Sequence, residues 1–173
     1  MIRGIMRALA LSAVLIAAGC AAPDADAQSS PGRFEAIALE INSWGRPIDS
    51  WEVRADGTGL HAKRIAEGSP RSASYRLEHR EFTVEAGEFA RLAEMASELP
   101  RLAIADCQLR AIDLPYGTLR LSRAGAEEEI SFDTGCQDAR YRAFVAQLTA
   151  MDELVTGWAE QHSPTRIEER RAR

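Results

Sequence analysis

The spacing of the hydrophobic residues limits the possible folds more than any other feature of the sequence. Twice along the chain, this spacing changes from every second residue to the spacing of a helix. Ile37, Leu39 and Ile41 alternate with other residues, as in a half-buried strand. From Ala86 onward the apolar residues take helical spacing instead, and Pro100 ends the helix. The apolar face of this predicted helix consists of Phe89, Leu92, Met95, Ala96 and Leu99.

The second half of the chain has the same order of strands followed by a helix. Leu119 and Leu121 alternate as in a strand, and a return strand follows a Gly-containing turn. Asp133 or Asp138 is suited to cap the last helix, which ends near His162. Its helically spaced residues are Tyr141, Phe144, Val145, Leu148, Met151, Leu154, Val155 and Trp158.

This order of elements predicts an α+β fold, in which two helices pack on one face of an antiparallel sheet. The pattern is compatible with two β-β-(β)-α units, although the two halves share too little sequence to demonstrate a duplication. Residues 34–162 are long enough for a single domain with a real hydrophobic core. The Arg- and Glu-rich residues 163–173 are predicted to be a disordered charged tail.

The charge of the domain excludes one large class of partners. Residues 34–162 contain 22 acidic and 14 basic residues, which gives a net charge of −8. A domain with this charge is repelled by nucleic acid and by anionic lipid surfaces. We therefore predict no nucleic-acid partner.

The first residues of the chain have the features of an export signal. Arg3 and Arg7 form a short basic segment, and an apolar run without charge follows up to Ala18. The run is too short to span a membrane, so residues 1–19 are predicted to be a signal peptide. Residues 20–33 are rich in Pro, Gly, Ser, Ala and Asp and contain no bulky apolar side chain, so they are expected to form a flexible tether.

The end of this signal, Ala17-Ala18-Gly19-Cys20, resembles the lipobox of bacterial lipoprotein precursors. The resemblance covers the first twenty residues only. It implies that Cys20 is lipidated and anchors the protein to a membrane. Because Ala21 follows the cysteine, it also implies sorting to an outer membrane, with the domain facing the periplasm. An alternative cleavage after Ala27 would release a soluble periplasmic protein.

The remaining cysteines are predicted to form a disulfide. If Cys20 carries a lipid, Cys107 and Cys136 are left as a pair in an oxidising compartment. The bond would close a loop of roughly thirty residues and would add about 3–4 kcal/mol of stability in the chain-entropy model. The chain's three histidines are scattered and lack zinc-site spacing to either cysteine, so no metal is predicted.

No recognisable catalytic set occurs in the sequence, and no cofactor is predicted. The nucleophile-elbow, zinc-protease and phosphate-loop motifs are all absent. Asp133-Thr134-Gly135 resembles the motif of aspartic proteases, but a long helix follows it where such an enzyme needs further strands. We interpret this tripeptide as a turn, and Glu127-Glu128-Glu129 as a solvated strand edge.

Two loops carry the candidate interaction residues. Trp44 and Arg46 lie in one loop between predicted strands, and Tyr116 lies in a comparable place in the second half. Trp, Tyr and Arg are enriched among interface anchors. The other interpretation is that both aromatic residues pack over their own turns.

The sequence therefore predicts a membrane-anchored envelope lipoprotein with a non-catalytic domain. Trp44, Arg46 and Tyr116 would form its interaction surface for another envelope protein or component. The alternative from another class is a periplasmic hydrolase or isomerase with an unrecognised site, which would require a cleft lined by paired carboxylates and a histidine. A purely structural envelope protein is a third interpretation.

Overall fold

A computed structural model of the chain describes residues 33–66, 74–104 and 107–170. These residues form seven strands and two helices. The predicted signal peptide, Cys20 and nearly all of the tether lie outside the described residues. The elements in chain order are β1 (Ala36–Ser43), β2 (Arg46–Arg54), β3 (Thr58–Ala66), β4 (Tyr75–Thr83), α1 (Ala86–Glu98), β5 (Tyr116–Arg123), β6 (Ala126–Asp133), α2 (Ala139–Ala159) and β7 (Arg166–Arg170).

All seven strands belong to one antiparallel sheet with the order β6-β5-β1-β2-β3-β4-β7. Strand β1 joins the two halves of the chain, because Leu39 lies opposite both Trp51 of β2 and Leu119 of β5. The fold class is therefore α+β, with an antiparallel sheet as its larger part. The two strand-and-helix units are unequal, since four strands precede α1 and two precede α2.

Tight turns connect neighbouring strands where the sequence supplies residues that accept a positive φ. Trp44 and Gly45, with φ of 53° and 70°, connect β1 to β2, and Ala124 and Gly125 repeat this geometry between β5 and β6. A pair of positive φ angles is typical of two-residue hairpin loops. The turn between β2 and β3 contains Asp56 and Gly57, and Gly57 also has a positive φ, of 87°.

One hydrophobic core contains the buried face of both helices and of the strands. Ile37 and Leu39 of β1 are buried, whereas Ala38 and Glu40 between them are only partly buried, as the period of two predicted. From α1, Phe89, Leu92 and Ala96 are buried, which agrees with the predicted apolar face. The buried residues of α2 are Tyr141, Phe144, Leu148, Met151, Val155 and Ala159.

Asp138, one of the two predicted caps of the last helix, is the residue that caps α2. Its carboxylate accepts hydrogen bonds from the backbone N–H groups of Arg140 and Tyr141. These donors have no partner within the helix, so the cap stabilises the helix start. Asp133 instead ends β6 and accepts from the backbone N–H of Gly135 at 2.8 Å.

The charged tail differs from its prediction as a disordered segment. Arg166–Arg170 forms β7, which pairs with the first half of β4, and Ile167 lies opposite Glu78. The domain therefore extends beyond residue 162, and backbone pairing orders a segment with almost no buried side chain. In the described part of the chain no helix is both long and apolar enough to cross a membrane.

Candidate functional site

The structure brings two of the three predicted interaction residues together at one end of the sheet. Tyr116, the first residue of β5, lies opposite Asn42 near the end of β1. The Trp44–Gly45 turn follows directly, and the backbone N–H of Gly45 donates to the Tyr116 hydroxyl at 3.2 Å. The side chains of Trp44 and Tyr116 are 52% and 41% exposed. Neither aromatic residue is therefore buried beneath its own turn.

Arg46 lies next to this pair but differs from it in burial. It is the first residue of β2, lies opposite Ser43, and is half-buried. Its place beside the turn agrees with the predicted cluster, whereas its burial makes it a weaker interface candidate than Trp44.

A third segment, which sequence reasoning missed, completes the surface. Ile112 and Leu114 lie in the loop before β5 and are exposed, Ile112 to 82%. Together with Trp44 and Tyr116 they line a depression of about 290 Å³. We call the surface formed by Trp44, Ile112, Leu114 and Tyr116 the tip surface. Several large apolar side chains exposed in one place are unusual on a monomeric soluble domain and mark interaction sites.

The loop that carries Ile112 and Leu114 is held in place by covalent and hydrogen bonds. Cys107 and Cys136 form a disulfide with their Cα atoms 5.8 Å apart, and Cys136 is buried. The backbone N–H of Ala111 donates to the carbonyl of Gly135 at 2.8 Å. Both the backbone N–H and the hydroxyl of Thr134 donate to the carbonyl of Pro115. This anchoring reduces the conformational entropy that the exposed residues would lose on binding.

Two residues of the same depression have backbone conformations that are uncommon for non-glycine residues. Trp44 has a φ of 53° and Asp113 has a φ of 68°. The left-handed region is sterically costly for side chains with a Cβ atom, above all for bulky ones. Trp44 adopts this conformation in the two-residue β1–β2 loop, as Ala124 does in the β5–β6 loop, so its φ follows from the turn geometry.

Two charged side chains that line the depression beside the tip surface are paired with each other. Arg110 and Asp133 form an ion pair at 3.4 Å, and both line the depression. Asp133 also accepts from the backbone of Gly135, as in a turn. In residues 33–66, 74–104 and 107–170 no group of three or more His, Cys, Asp or Glu side chains is arranged to hold a metal ion.

A second depression, of about 590 Å³, lies on the sheet itself. Ala38, Ser50 and Ala62 are small residues that line it, and two carboxylates, Glu52 and Glu81, line it with His79. Glu52 and Glu81 lie on β2 and β4 with Leu60 of β3 between them. Two strand spacings separate their backbones by about 10 Å.

His79 in this depression is engaged by charged side chains of β7. Its Nδ1 atom lies 3.0 Å from the guanidinium of Arg166, and its Nε2 atom lies 3.5 Å from the carboxylate of Glu168. The two glutamates of this depression are therefore separated from each other, and its histidine is engaged by β7.

Comparisons with known proteins give no family for this chain. No protein-family model, no curated protein and no solved structure matches it.

Proposed function

We propose that this protein is a lipid-anchored protein of a bacterial envelope, and that its domain binds another envelope protein through the tip surface without catalysing a reaction. The observation that carries the proposal is the exposure of Trp44, Ile112, Leu114 and Tyr116 around one depression, with Ile112 and Leu114 on a loop fixed by a disulfide. Aromatic residues that are exposed and held rigidly are typical anchors of protein interfaces.

The direction of β1 supports a partner away from the anchoring membrane. The predicted tether leads to Phe34 and to the start of β1 at Ala36, whereas the tip surface begins directly after Ser43. A strand of this length separates its two ends by about 27 Å. The point at which the chain leaves toward Cys20 and the tip surface therefore lie at opposite ends of β1.

The charge of the domain supports a protein partner over a lipid surface. Exposed Trp, Ile and Leu side chains on a loop also occur at membrane-inserting sites, but these depend on basic residues to attract anionic lipid. The domain carries an excess of acidic residues instead. A protein with an apolar pocket is therefore the occupant that we propose for the tip surface.

We infer that both helices cover the same face of the sheet, because their buried residues share one core with Ile37, Leu39, Trp51 and Leu119. The depression lined by Ala38, Ser50 and Ala62 would then lie on the uncovered face. The tip surface lies at the end of the sheet where β1 ends and β5 begins.

Site-specific photo-crosslinking in intact cells tests the proposed function. A photoreactive amino acid at Ile112 is expected to give a covalent adduct of the full chain with one protein partner. The matched control is Leu60, which is 56% exposed and lies on β3, away from the tip surface. Equal adducts from both positions, or adducts with lipid alone from Ile112, would contradict the proposal.

A further inference from the structure

Two ionisable side chains meet inside the core, away from the tip surface. Asp49 of β2 and His61 of β3 are buried, and the Nε2 atom of His61 lies 2.8 Å from the carboxylate of Asp49. His61 is only 2% exposed, and its Nδ1 atom has no hydrogen-bond partner within the described part of the chain. Buried polar atoms are rarely left unpartnered, so this pair is costly unless it has a role.

A third ionisable group reaches the pair from α2. The carboxylate of Asp152 accepts a hydrogen bond from the indole Nε1–H of Trp51 at 2.9 Å, and Trp51 lies directly opposite His61 in the sheet. Burial and the nearby carboxylate of Asp49 raise the pKa of Asp152 to about 6. The Trp51 hydrogen bond, His61 and Lys63 lower this pKa, but their combined effect is smaller.

The other charged groups around the cluster already have partners. Lys63 of β3 pairs with Glu160 near the end of α2 at 2.8 Å. Arg80 of β4 lies opposite His61 in the sheet, but its guanidinium donates to Glu78 and to the carbonyl of His162. Trp51 thus connects the partly buried Asp152 of α2 with the buried Asp49–His61 pair of β2 and β3.

We propose that Asp152 is a proton-binding site beside the buried Asp49–His61 pair, and that its bound proton tightens the packing of α2 on the sheet. Two carboxylates and a single imidazole enclosed together carry excess negative charge when all carboxyl protons are lost. A proton held by the cluster removes part of that charge from a region of low polarity.

The pH dependence follows from the sign of the pKa shift. Asp152 holds its proton more tightly in the folded chain, where its pKa is about 6, than in the unfolded chain, where the ordinary value of 3.8 applies. The stabilisation is therefore complete below about pH 3.8 and is lost as the pH rises to about 6. Above about pH 6 the folded chain remains less stable than at low pH, by an amount that no longer changes with pH.

Urea unfolding of the full chain from pH 4 to pH 8 tests the site with two matched variants. Asp152→Asn keeps an acceptor for Trp51 but removes the charge, whereas Glu153→Gln removes the charge of the exposed neighbour on the same helix. Relative to the parent chain, the unfolding constant of Asp152→Asn is expected to fall by roughly 10- to 100-fold at pH 7.5 and to remain nearly unchanged at pH 4. Glu153→Gln is expected to follow the parent at both values. A pH-independent effect of Asp152→Asn would overturn the proposal.

A spectroscopic readout keeps the test valid if the variant folds poorly. The indole N–H resonance of Trp51, assigned with Trp51→Phe, is expected to shift with pH in the parent chain with a midpoint near 6. A midpoint near 4, or no shift between pH 4 and pH 8, would show that no proton is taken up at the cluster in mildly acidic solution. Either result would overturn the proposal without a stability measurement.

Discussion

Gly117 shows how a single residue positions the tip surface. It follows Tyr116 and lies in β5 opposite Ile41, where β5 and β1 approach closely. A Cβ atom at this position would contact the carbonyl oxygen of Glu40 and would lie 2.7 Å from the ring of Phe132. The missing side chain therefore allows the strand pairing that places Tyr116 beside the Trp44–Gly45 turn.

We expect Gly117→Ala to destabilise the domain by about 2–3 kcal/mol, because a buried backbone carbonyl cannot move aside cheaply. Urea unfolding measures the change. The control is Gly157→Ala in α2, where no atom lies within 4 Å of the added Cβ, and where a gain of about 0.5–1 kcal/mol is expected. Equal stability of the two variants would show that Gly117 is not needed for close strand approach.

At the scale of elements, the predictions succeeded where side-chain burial alone decides the structure. β1 and α1 follow from the spacing of their apolar residues, because each buries one face against the core. β7 could not be predicted in this way, since its residues are charged apart from the exposed Ile167. Its order comes from backbone pairing with β4, which is distant in sequence.

The segment around residues 109–112 also shows that the spacing of apolar residues does not predict every element. It contains the apolar residues Leu109 and Ile112, but only an isolated bridge between Arg110 and Cys136 forms there. Leu109 and Ile112 are both exposed, so their spacing in the sequence does not reflect a buried face. The disulfide and the backbone hydrogen bonds to Gly135 and Gln137 hold this loop instead.

The Cys107–Cys136 disulfide leads to a prediction about the element that it holds. Replacing both cysteines with alanine is expected to cost about 3–4 kcal/mol of unfolding free energy, because the open loop gains conformational freedom in the unfolded chain. The variant should also lose partner capture, since Ile112 and Leu114 would no longer be held beside Tyr116. Urea unfolding and crosslinking from Trp44 measure the two effects.

Mass mapping of protein prepared without reductant provides the control for this prediction. The parent chain should give a linked peptide that contains both cysteines. Two freely alkylated thiols would contradict the bond, and unchanged unfolding of the double variant would contradict its stabilising role.

At the scale of the whole molecule, the candidate site was predictable only in part. Trp44 and Tyr116 were predicted to share one end of the sheet because both flank strands. Ile112 and Leu114 were not predicted, since their position depends on the disulfide and on the pairing of β1 with β5. The cluster of Asp49, His61 and Asp152 was missed for the same reason, as its members come from three elements and share no local motif.

The membrane anchor is a prediction about the whole chain, and it rests on the sequence alone. Cys20→Ser should give uncleaved precursor or a soluble form, because the lipid acceptor is lost. Fractionation of cells into membrane and soluble parts measures the change. The double variant without Cys107 and Cys136 is the control and should remain with the membrane. Normal fractionation of Cys20→Ser would contradict the anchor.

Whether the tip surface binds a protein is tested most directly by measuring folding and binding in the same two variants, Trp44→Ala and Tyr116→Ala. If the tip surface binds a protein, each variant should lose roughly thirtyfold or more in partner affinity, which corresponds to about 2 kcal/mol, with a small change in melting temperature. If the two aromatic residues serve packing, each variant should instead lose about 3–5 kcal/mol of stability. A lowered melting temperature with partner capture unchanged among the folded molecules would contradict the account.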